Sequence, residues 1–301
     1  DRQCIASSNK RSLRYNILYC HTIPQRNTKI VKESKNIWSM RIFLSESLPD
    51  YSSYTFNYAL YAVQEDPLEM TRIYNRGFLP FTGNPSLESE VYYLARSLRV
   101  NLESFEDTSE NRRVSRKVAA LDVQLRVIEK TNFNINNPAF VKFCTDYAAE
   151  RFHDGSMSAE RFLYVVRRKN ASHLFEFRSG TQILGYVLAV LNDEMLHYWY
   201  AFFDTQYLRS HALGKWMMWR VIKWAKDNGR QHVYLGTCYG THALYKIRDF
   251  KGLVYWDGNQ WQDDMKRLKS LCKSDQAGVG READLFKLVA DPNTALREMK
   301  F

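Results

Sequence analysis

The sequence predicts an α+β fold in which a mixed sheet in the C-terminal half is preceded by helices and by a smaller N-terminal α/β region. Three strand-like segments follow one another from about residue 173, separated only by the turn dipeptides Ser179-Gly180 and Asn192-Asp193. After them, helical and strand-like segments alternate up to about residue 256. The hydrophobic fraction of 45% is sufficient for a full core in a chain of 301 residues.

The composition favours a protein that binds a polyanion. A formal net charge of +10 and a pI near 9.3 attract nucleic acid, phosphorylated ligands or acidic peptides. The five cysteines are scattered and form no CxxC pair, so reduced thiols and no metal site are expected. Because the sequence contains neither a membrane-length apolar run nor a signal peptide, the expected location is the cytoplasm, without membrane contact.

We divide the chain into four parts. A basic arm, predicted to be disordered or not native, precedes Met40 and lacks methionine and any periodic pattern. An N-terminal region, the main domain and a C-terminal tail with few large apolar residues follow it. The four parts are 1–39, 40–107, 108–272 and 273–301.

The N-terminal region gives mixed signals. Residues 53–63 are rich in aromatic and β-branched residues and predict a strand. Residues 67–76 predict a short helix that ends at Gly77. Residues 90–100 suit either a helix or a strand and are left unassigned.

Three helices are predicted at the start of the main domain. Thr108 or Ser109 caps the first, Pro138 begins the second, which runs to Phe152, and Ser158 caps the third. The first helix is expected to bury a stripe of apolar residues spaced by three or four positions, namely Val114, Val118, Leu121, Leu125 and Ile128.

The sheet is predicted from strands at 173–178, 182–191 and 195–203, followed by a helix, a strand, a second helix and a last strand at 212–227, 231–235, 241–248 and 253–256. This is the element order of a GNAT domain. We expect the 212–227 helix to pack on one face of the sheet, and Leu235 to lie beside the strand that ends at Asp204.

The segment from Arg209 to Lys215 is a candidate phosphate-binding loop at the start of a helix. GNAT enzymes have R/Q-x-x-G-x-G/A at this point, because small residues let backbone N–H groups approach a pyrophosphate. Here Ala212 stands at the first glycine position and Gly214 at the second. The alternative is a tight start of a helix with solvated Arg209 beside it.

Two carboxylates are candidate catalytic groups. Asp204 follows a strand of aromatic residues, and Glu176 lies within the strand segment Leu-Phe-Glu-Phe-Arg. The alternatives are that Asp204 caps a turn and that Glu176 faces solvent.

The segment around Gly236 is a candidate oxyanion-binding site. A glycine here can splay its strand from a neighbour and leave backbone donors for an acyl carbonyl. Tyr239 then stands where GNAT enzymes commonly have a tyrosine that protonates the leaving group. Cys238 is a weaker candidate, because the sequence shows no histidine and carboxylate arrangement around it.

Together these motifs resemble the arginyl- and leucyl-tRNA–protein transferases, which modify N-termini in the N-degron (N-end rule) pathway. The similarity covers most of residues 165–260. Residues 174–178 are similar to a V-E-F-R strand of the family. Residues 200–204 match Y-x-F/Y-F/Y-D, and residues 213–214 match the L-G that follows it. Residues 234–236 match Y-M/L-G, and Tyr245 with Lys246 matches Y-K.

The resemblance implies that charged tRNA and protein N-termini, expected to be acidic, are the substrates, and that no separate cofactor is needed. It assigns Glu176 and Asp204 to the acceptor amine, and the donors near Gly236 with Tyr239 to the ester. The groups expected to meet phosphates are Arg209, Lys215 and Lys246. The family's cysteine-rich N-terminal region has no match, so no metal is predicted. The segment between Y-M/L-G and Y-K, which typically contains H-S-C-P in the family, is shorter here.

Two alternatives stay open at this stage. The same loop at Arg209 to Gly214 also suits an N-acyltransferase that uses acetyl-CoA. A non-catalytic RNA- or peptide-binding relative would retain the fold alone.

Overall fold

A computed structural model of the protein describes residues 41–44, 60–82, 89–152 and 157–276. All of them belong to one compact unit, Ile37–Phe301. The predicted basic arm, most of the strand predicted at 53–63, and residues 277–301 lie outside the described residues.

Within the described ranges, a four-stranded antiparallel sheet forms the N-terminal part, in the order β1-β2-β4-β3. Its strands are β1 (Arg41–Leu44), β2 (Leu60–Gln64), β3 (Phe78–Pro80) and β4 (Glu90–Leu94). A 3₁₀ turn, Pro67–Glu69, leads into helix α1 (Met70–Asn75). Gly77 follows with a φ of +80°, which confirms the predicted glycine stop.

The main sheet has eight strands in the part of the chain that the structure describes, in the order β12-β11-β5-β10-β9-β8-β7-β6. Among these described strands, only β9 and β10 pair in parallel. The strands are β5 (Ser97–Asn101), β6 (Gln124–Glu129), β7 (His173–Ser179), β8 (Gln182–Leu191), β9 (Met195–Phe203), β10 (His232–Thr237), β11 (Leu253–Trp256) and β12 (Trp261–Gln262).

Helices cover both faces of this sheet. They are α2 (Ser109–Ala119), α3 (Pro138–Arg151), α4 (Ala159–Arg167), α5 (Tyr207–Ser210), α6 (Leu213–Asp227), α7 (Met265–Gln276) and a 3₁₀ helix, Thr241–Ile247. Alternation along β7 shows how the faces divide. Phe175 packs against Trp224 of α6, whereas Leu174 joins the opposite cluster with Phe162 of α4.

Strand β10 lies beside β9 as predicted, but the pairing ends at Tyr234, one residue before Leu235. The helix 212–227 is also confirmed on one face. Thr108 caps α2 with a capping box, and Ser158 caps α4.

The predicted extension of the first helix to Ile128 is wrong. Helix α2 ends at Ala119, and Asp122 has a left-handed φ of +45°. Residues after it form β6, which pairs with β7 from Gln124↔Arg178 onward. The spacing of Leu125 and Ile128 fits a helix, but this segment instead pairs along one side with β7 as an edge strand.

The structure also places two further segments. Residues 90–100 form β4 and β5, and β5 lies between β10 and β11 in the main sheet although it falls in the predicted region 40–107. Residues just after 272 are not peripheral, because Asp275 of α7 is only 3% exposed. None of the described helices is long and apolar enough to cross a bilayer.

Candidate functional site

Strands β9 and β10 separate part-way along their length. Their parallel pairing ends at Tyr234 and His197. Beyond that point β10 stays beside β5 with a register shift before Thr237, while β9 continues beside β8 to Phe203. Gly236 lies in the shifted stretch with a φ of +80°, which glycine adopts without strain. The backbone groups of the two strands therefore face a wedge, which we call the β9/β10 cleft (residues 198–203 and 235–237).

A β-bulge in β9 increases this divergence. Leu188 of β8 lies opposite Tyr200, and Ala189 lies opposite Tyr198, so Trp199 has no residue opposite it. A bulge bends its strand and increases the local twist. The splay that was predicted from Gly236 alone is therefore a product of both strands.

His197 lies at the apex of the cleft and was not singled out from the sequence. It is 2% exposed, its Nδ1 lies 2.9 Å from the Tyr74 hydroxyl, and its ring stacks on Trp199. Within the described part of the chain its Nε2 has no hydrogen-bond partner. A histidine in an apolar strand is more often a core residue than a functional one, so the sequence alone does not mark His197. Its place at the apex of the cleft is evident only from the separation of the two strands.

Burial, together with the positive charge of Lys246, lowers the pKa of His197 to about 3. The folded protein therefore holds this imidazole neutral, whereas the unfolded chain takes up a proton below pH 6.5. The stability that follows from this difference is present above pH 6.5 and is lost as the pH falls toward 3.

We expect His197→Gln to reduce the acid sensitivity of the protein. Between pH 7 and pH 5, His197 should remove about 2 kcal/mol from the free energy of unfolding, and the variant should lose this contribution. Urea unfolding at the two pH values measures it, with the exposed His242→Gln as the control. An identical pH dependence in the His197 variant and the wild type would show that His197 is not held neutral.

Lys246 and Tyr245 lie on the 3₁₀ helix that follows β10. Lys246 Nζ donates a hydrogen bond to the Thr237 carbonyl at 2.9 Å. It would lie 3.6 Å from a Cβ placed on Gly236, and His197 Nε2 would lie 3.9 Å from the same point. The structure thus brings the predicted residues Gly236 and Lys246 together, while Tyr245 is 51% exposed beside them.

Tyr239 is anchored behind the same segment. Its hydroxyl oxygen accepts a hydrogen bond from the Arg96 backbone N–H at 2.7 Å, and the Arg96 guanidinium lies 4.7 Å from the ring centroid. Both groups stabilise the negative charge that the oxygen would carry after giving up its proton. This environment suits a proton donor.

Helix α7 braces the segment that carries Tyr239. Asp275 pairs with Arg96 at 2.9 Å and accepts a hydrogen bond from the Gly240 N–H at 2.7 Å. Cys238 is buried, and its pKa is raised by a hydrogen bond with Cys272 and by burial. A neutral, buried thiol is a poor nucleophile, as expected for Cys238.

The start of α6 explains the small residues of the predicted phosphate loop. Ala212 occupies the N-cap in a left-handed conformation with a φ of 52°. A Cβ on Gly214 would collide with the ring of Phe203, so close packing against β9 demands glycine there. The first N–H groups of α6 have no partner within the helix and can bind an anion.

The cations predicted for this loop differ from each other. Lys215 Nζ contacts Glu110 at 2.8 Å and Asp249 at 2.6 Å, and these two carboxylates neutralise it. Lys215 was predicted to bind phosphate, but in the structure it links α6 to α2 through its ion pair with Glu110. Arg209, on α5, is exposed.

Glu176 does not lie in the β9/β10 cleft. It is 5% exposed, and it pairs with Arg126 at 3.4 Å and with Arg178 at 3.5 Å. Its opposite residue on β8 is Tyr186, which packs against Phe140 of α3. Glu176 was predicted to project into the catalytic cleft, but it lies on the sheet face that α3 covers.

Asp204 caps the turn into α5. Its side chain accepts hydrogen bonds from the Gln206 N–H at 3.0 Å and from Gln182 at 3.3 Å. Phe202, two residues earlier, is opposite Tyr186, which is itself opposite Glu176. Strand spacing therefore places the Cα atoms of Glu176 and Asp204 about 12 Å apart. The structure does not bring them into one site.

The element order and the splayed strands find a match among protein families. A family model described as an acetyltransferase (GNAT) domain matches residues 138–250. The chain has the GNAT fold. The GNAT match covers α3 and α4, strands β7 to β10 and helix α6, so it contains both walls of the β9/β10 cleft.

Curated bacterial proteins named aspartate/glutamate leucyltransferase are similar to this chain. The protein from Chromohalobacter salexigens is 28% identical over 175 residues, which cover 55% of this chain and 67% of the relative. Proteins from two strains of Stenotrophomonas maltophilia are 31% and 33% identical over 116 residues, 38% of this chain and 43% of each relative. With the GNAT domain, these similarities support an acyltransferase.

Among solved structures, the likeness to this chain is weak. The structure of L-PGS from Bacillus licheniformis is 11% identical, with a TM-score of 0.39, and the match covers 68% of this chain and 69% of that one.

Proposed function

We propose that the protein transfers an amino acid from charged tRNA to the N-terminal amine of a protein. The observation that carries the proposal is the similarity to the aspartate/glutamate leucyltransferases, which covers up to 55% of the chain. Their name favours leucine over arginine as the transferred residue and aspartate or glutamate as the acceptor. The formal charge of +10 favours both an RNA substrate and an acidic acceptor.

To catalyse this reaction, the protein mainly has to position the two substrates and stabilise the oxyanion. The neutral acceptor amine attacks the carbonyl carbon of the aminoacyl ester, so a C–N bond forms and the bond to the ribose oxygen breaks. The amine loses a proton, and the ribose oxygen gains one. Because the ester is already activated, orientation and stabilisation of the oxyanion supply most of the acceleration, and no further cofactor is required.

The β9/β10 cleft and the segment that follows β10 offer groups for stabilising the oxyanion and for protonating the leaving oxygen. Backbone N–H groups near Gly236 and the positive charge of Lys246 lie where an acyl oxygen entering the wedge would develop negative charge. Tyr239, on the segment that follows β10, donates the proton to the departing ribose oxygen, and the proton that the amine loses passes through solvent and restores the Tyr239 hydroxyl. Held neutral at the apex, His197 positions the cleft through its contacts with Tyr74 and Trp199.

The RNA end is assigned to the start of α6. The N–H groups after Ala212, together with exposed Arg209, would bind a terminal phosphate. The positive charge of Lys246 faces the cleft itself.

A second function is favoured by the family model. An N-acyltransferase that uses acetyl-CoA would use the same α6 start for a pyrophosphate, and the matched model is described as an acetyltransferase domain. A substrate panel separates the two functions. We expect leucyl-tRNA, and to a lesser extent arginyl-tRNA, to modify peptides that begin with Asp or Glu, as detected by mass spectrometry. Acetylation of the same peptides from acetyl-CoA, without transfer from tRNA, would establish the second function instead.

Amide variants of the two carboxylates test their catalytic assignment. Asn can replace Asp204 as a turn cap, so Asp204→Asn should keep single-turnover transfer within a few-fold of the wild type. Glu176→Gln should mainly lower stability, because it leaves Arg126 and Arg178 without their carboxylate. A loss of 10²-fold or more in either stable variant would restore the catalytic assignment.

A further inference from the structure

A second cavity lies at the far end of β10 from Gly236. Its volume is about 550 Å³, which is within the range of small-molecule sites. The residues that matter for its chemistry are Arg99, Asn101, Lys226, Arg230 and His232. None of them belongs to the β9/β10 cleft.

The charge of this cavity is strongly positive. Three lining residues, Arg99, Lys226 and Arg230, are cations, whereas Glu103 is the one carboxylate among the lining residues. Burial, together with the positive charge of the neighbouring Arg99, lowers the pKa of His232 to about 4. A neutral imidazole here can donate or accept a hydrogen bond at physiological pH.

The hydrogen bonds and ring contacts that hold these cations are made to neutral groups. Arg99 lies 4.1 Å from the ring centroid of Trp261 and donates to the Asn75 side chain at 2.7 Å. Lys226 and Arg230 donate to backbone carbonyls, those of Phe105 and Asn228. An anionic ligand would meet side chains that are already ordered, which reduces the entropy lost on binding.

The negative end of α6 also lies here, and it is already capped. The Trp224 carbonyl accepts from the Asn228 backbone N–H, and the Ala225 carbonyl accepts from that of Arg230. These hydrogen bonds reduce the repulsion that the C-terminus of a helix exerts on an anion.

Four lining residues contain polar atoms whose hydrogen bonding is incomplete. Across the described residues, Arg99 Nε, Arg230 Nε and His232 Nδ1 are buried without a partner, and so is the acceptor Asn101 Oδ1. Native structures leave few such atoms unpaired. The unpaired arginine donors favour an anionic ligand. The unpaired Asn101 acceptor favours a ligand that also carries a hydroxyl group.

We propose that this cavity binds a ribose phosphate of an RNA backbone. The phosphate lies among Arg99, Lys226 and Arg230, and the ribose 2′-hydroxyl donates to Asn101 Oδ1. A phosphate with a neighbouring 2′-hydroxyl is the combination by which proteins distinguish RNA from DNA. The inference rests on the proposed function only in naming tRNA as that RNA.

The cavity is separate from the transfer site. His232 and Gly236 are four residues apart on β10, about 13 Å along the strand, and Lys226 lies about 18 Å along α6 from Gly214. A nucleotide bound here is therefore distant from the aminoacyl end, so this site would hold the body of the tRNA.

Binding of uncharged tRNA, measured by fluorescence anisotropy across a salt series, tests the proposal. The double variant Lys226→Gln/Arg230→Gln should bind about 10-fold more weakly at low salt, and its slope of log affinity against log salt should be shallower by about 1 to 1.5. Lys223→Gln, on the same helix but outside the cavity, is the matched control and should keep the wild-type slope.

Asn101→Ala supplies a second test. It should reduce the preference for RNA over DNA of the same sequence several-fold without changing the salt slope. Equal slopes in the wild type and the double variant, or an unchanged RNA preference in Asn101→Ala, would overturn the proposal. Binding of inorganic phosphate or 5′-AMP that depends on Arg230, with the tRNA slope unchanged, would show a small-anion site and would also overturn it.

The outcome does not depend on transfer chemistry. Because the probe is uncharged tRNA, a chain that fails to transfer leucine can still show the predicted change in slope. Conversely, normal transfer with a wild-type slope in the double variant would remove this site and leave the proposed function in place. If the double variant unfolds, the RNA preference of Asn101→Ala decides the question.

Discussion

Replacing Lys246 with methionine is expected to slow single-turnover transfer by about 100-fold. Methionine keeps much of the apolar stem but removes the charge beside Gly236, where the proposed mechanism places the oxyanion. The affinity for charged tRNA should change much less than the rate. Rapid-quench measurement with pre-bound leucyl-tRNA and an excess of peptide separates the two quantities.

Lys251→Met is the control for this experiment. Lys251 lies five residues after Lys246, but its side chain is exposed and pairs with Glu106. Its replacement should leave transfer unchanged. A wild-type rate in Lys246→Met, with Tyr239→Phe also unaffected, would show that the chemistry does not use this cleft.

Replacing Asp275 with alanine is expected to lower the free energy of unfolding by about 3–5 kcal/mol. The change leaves the Arg96 guanidinium buried without its carboxylate, because the two side chains are only 5% and 2% exposed. It also removes the acceptor of the Gly240 N–H. Urea unfolding measures the loss, and the transfer rate should fall as well, since Arg96 anchors Tyr239.

The exposed pair of Lys142 and Asp146 provides the comparison. Its side chains are 76% and 62% exposed, so Asp146→Ala should alter stability by less than about 1 kcal/mol. Replacing both Arg96 and Asp275 with leucine should be less damaging than Asp275→Ala alone, since no charge is then left unpaired. A loss below 1 kcal/mol in Asp275→Ala would contradict the packing of α7 against this segment.

Local signals in the sequence were sufficient for most elements of the fold. Thr108 and Ser158 cap helices, and Gly77 ends one, as their residue types predict. The hairpins between β7, β8 and β9 follow from alternation interrupted by turn residues. The order of these elements then identified the GNAT fold, and Gly236 marked the place where β10 leaves β9.

The roles of individual charged residues depended on contacts between distant parts of the chain. Lys215 appeared suited to a phosphate, but it meets Glu110, 105 residues earlier. Asp275 appeared peripheral, but it meets Arg96, 179 positions away. Such pairings leave no periodic trace in the sequence, because only the fold brings the partners together.

The position of bound substrate tests the central claim most directly. A leucyl-adenosine analogue, in which an amide replaces the reactive ester, can be titrated into isotopically labelled protein and followed by NMR. We expect the largest changes at backbone amides of the β9/β10 cleft, from Trp199 to Phe203 and around Gly236 and Lys246. Changes confined to the α3 face around Glu176, or none at saturating analogue, would contradict transfer in the β9/β10 cleft.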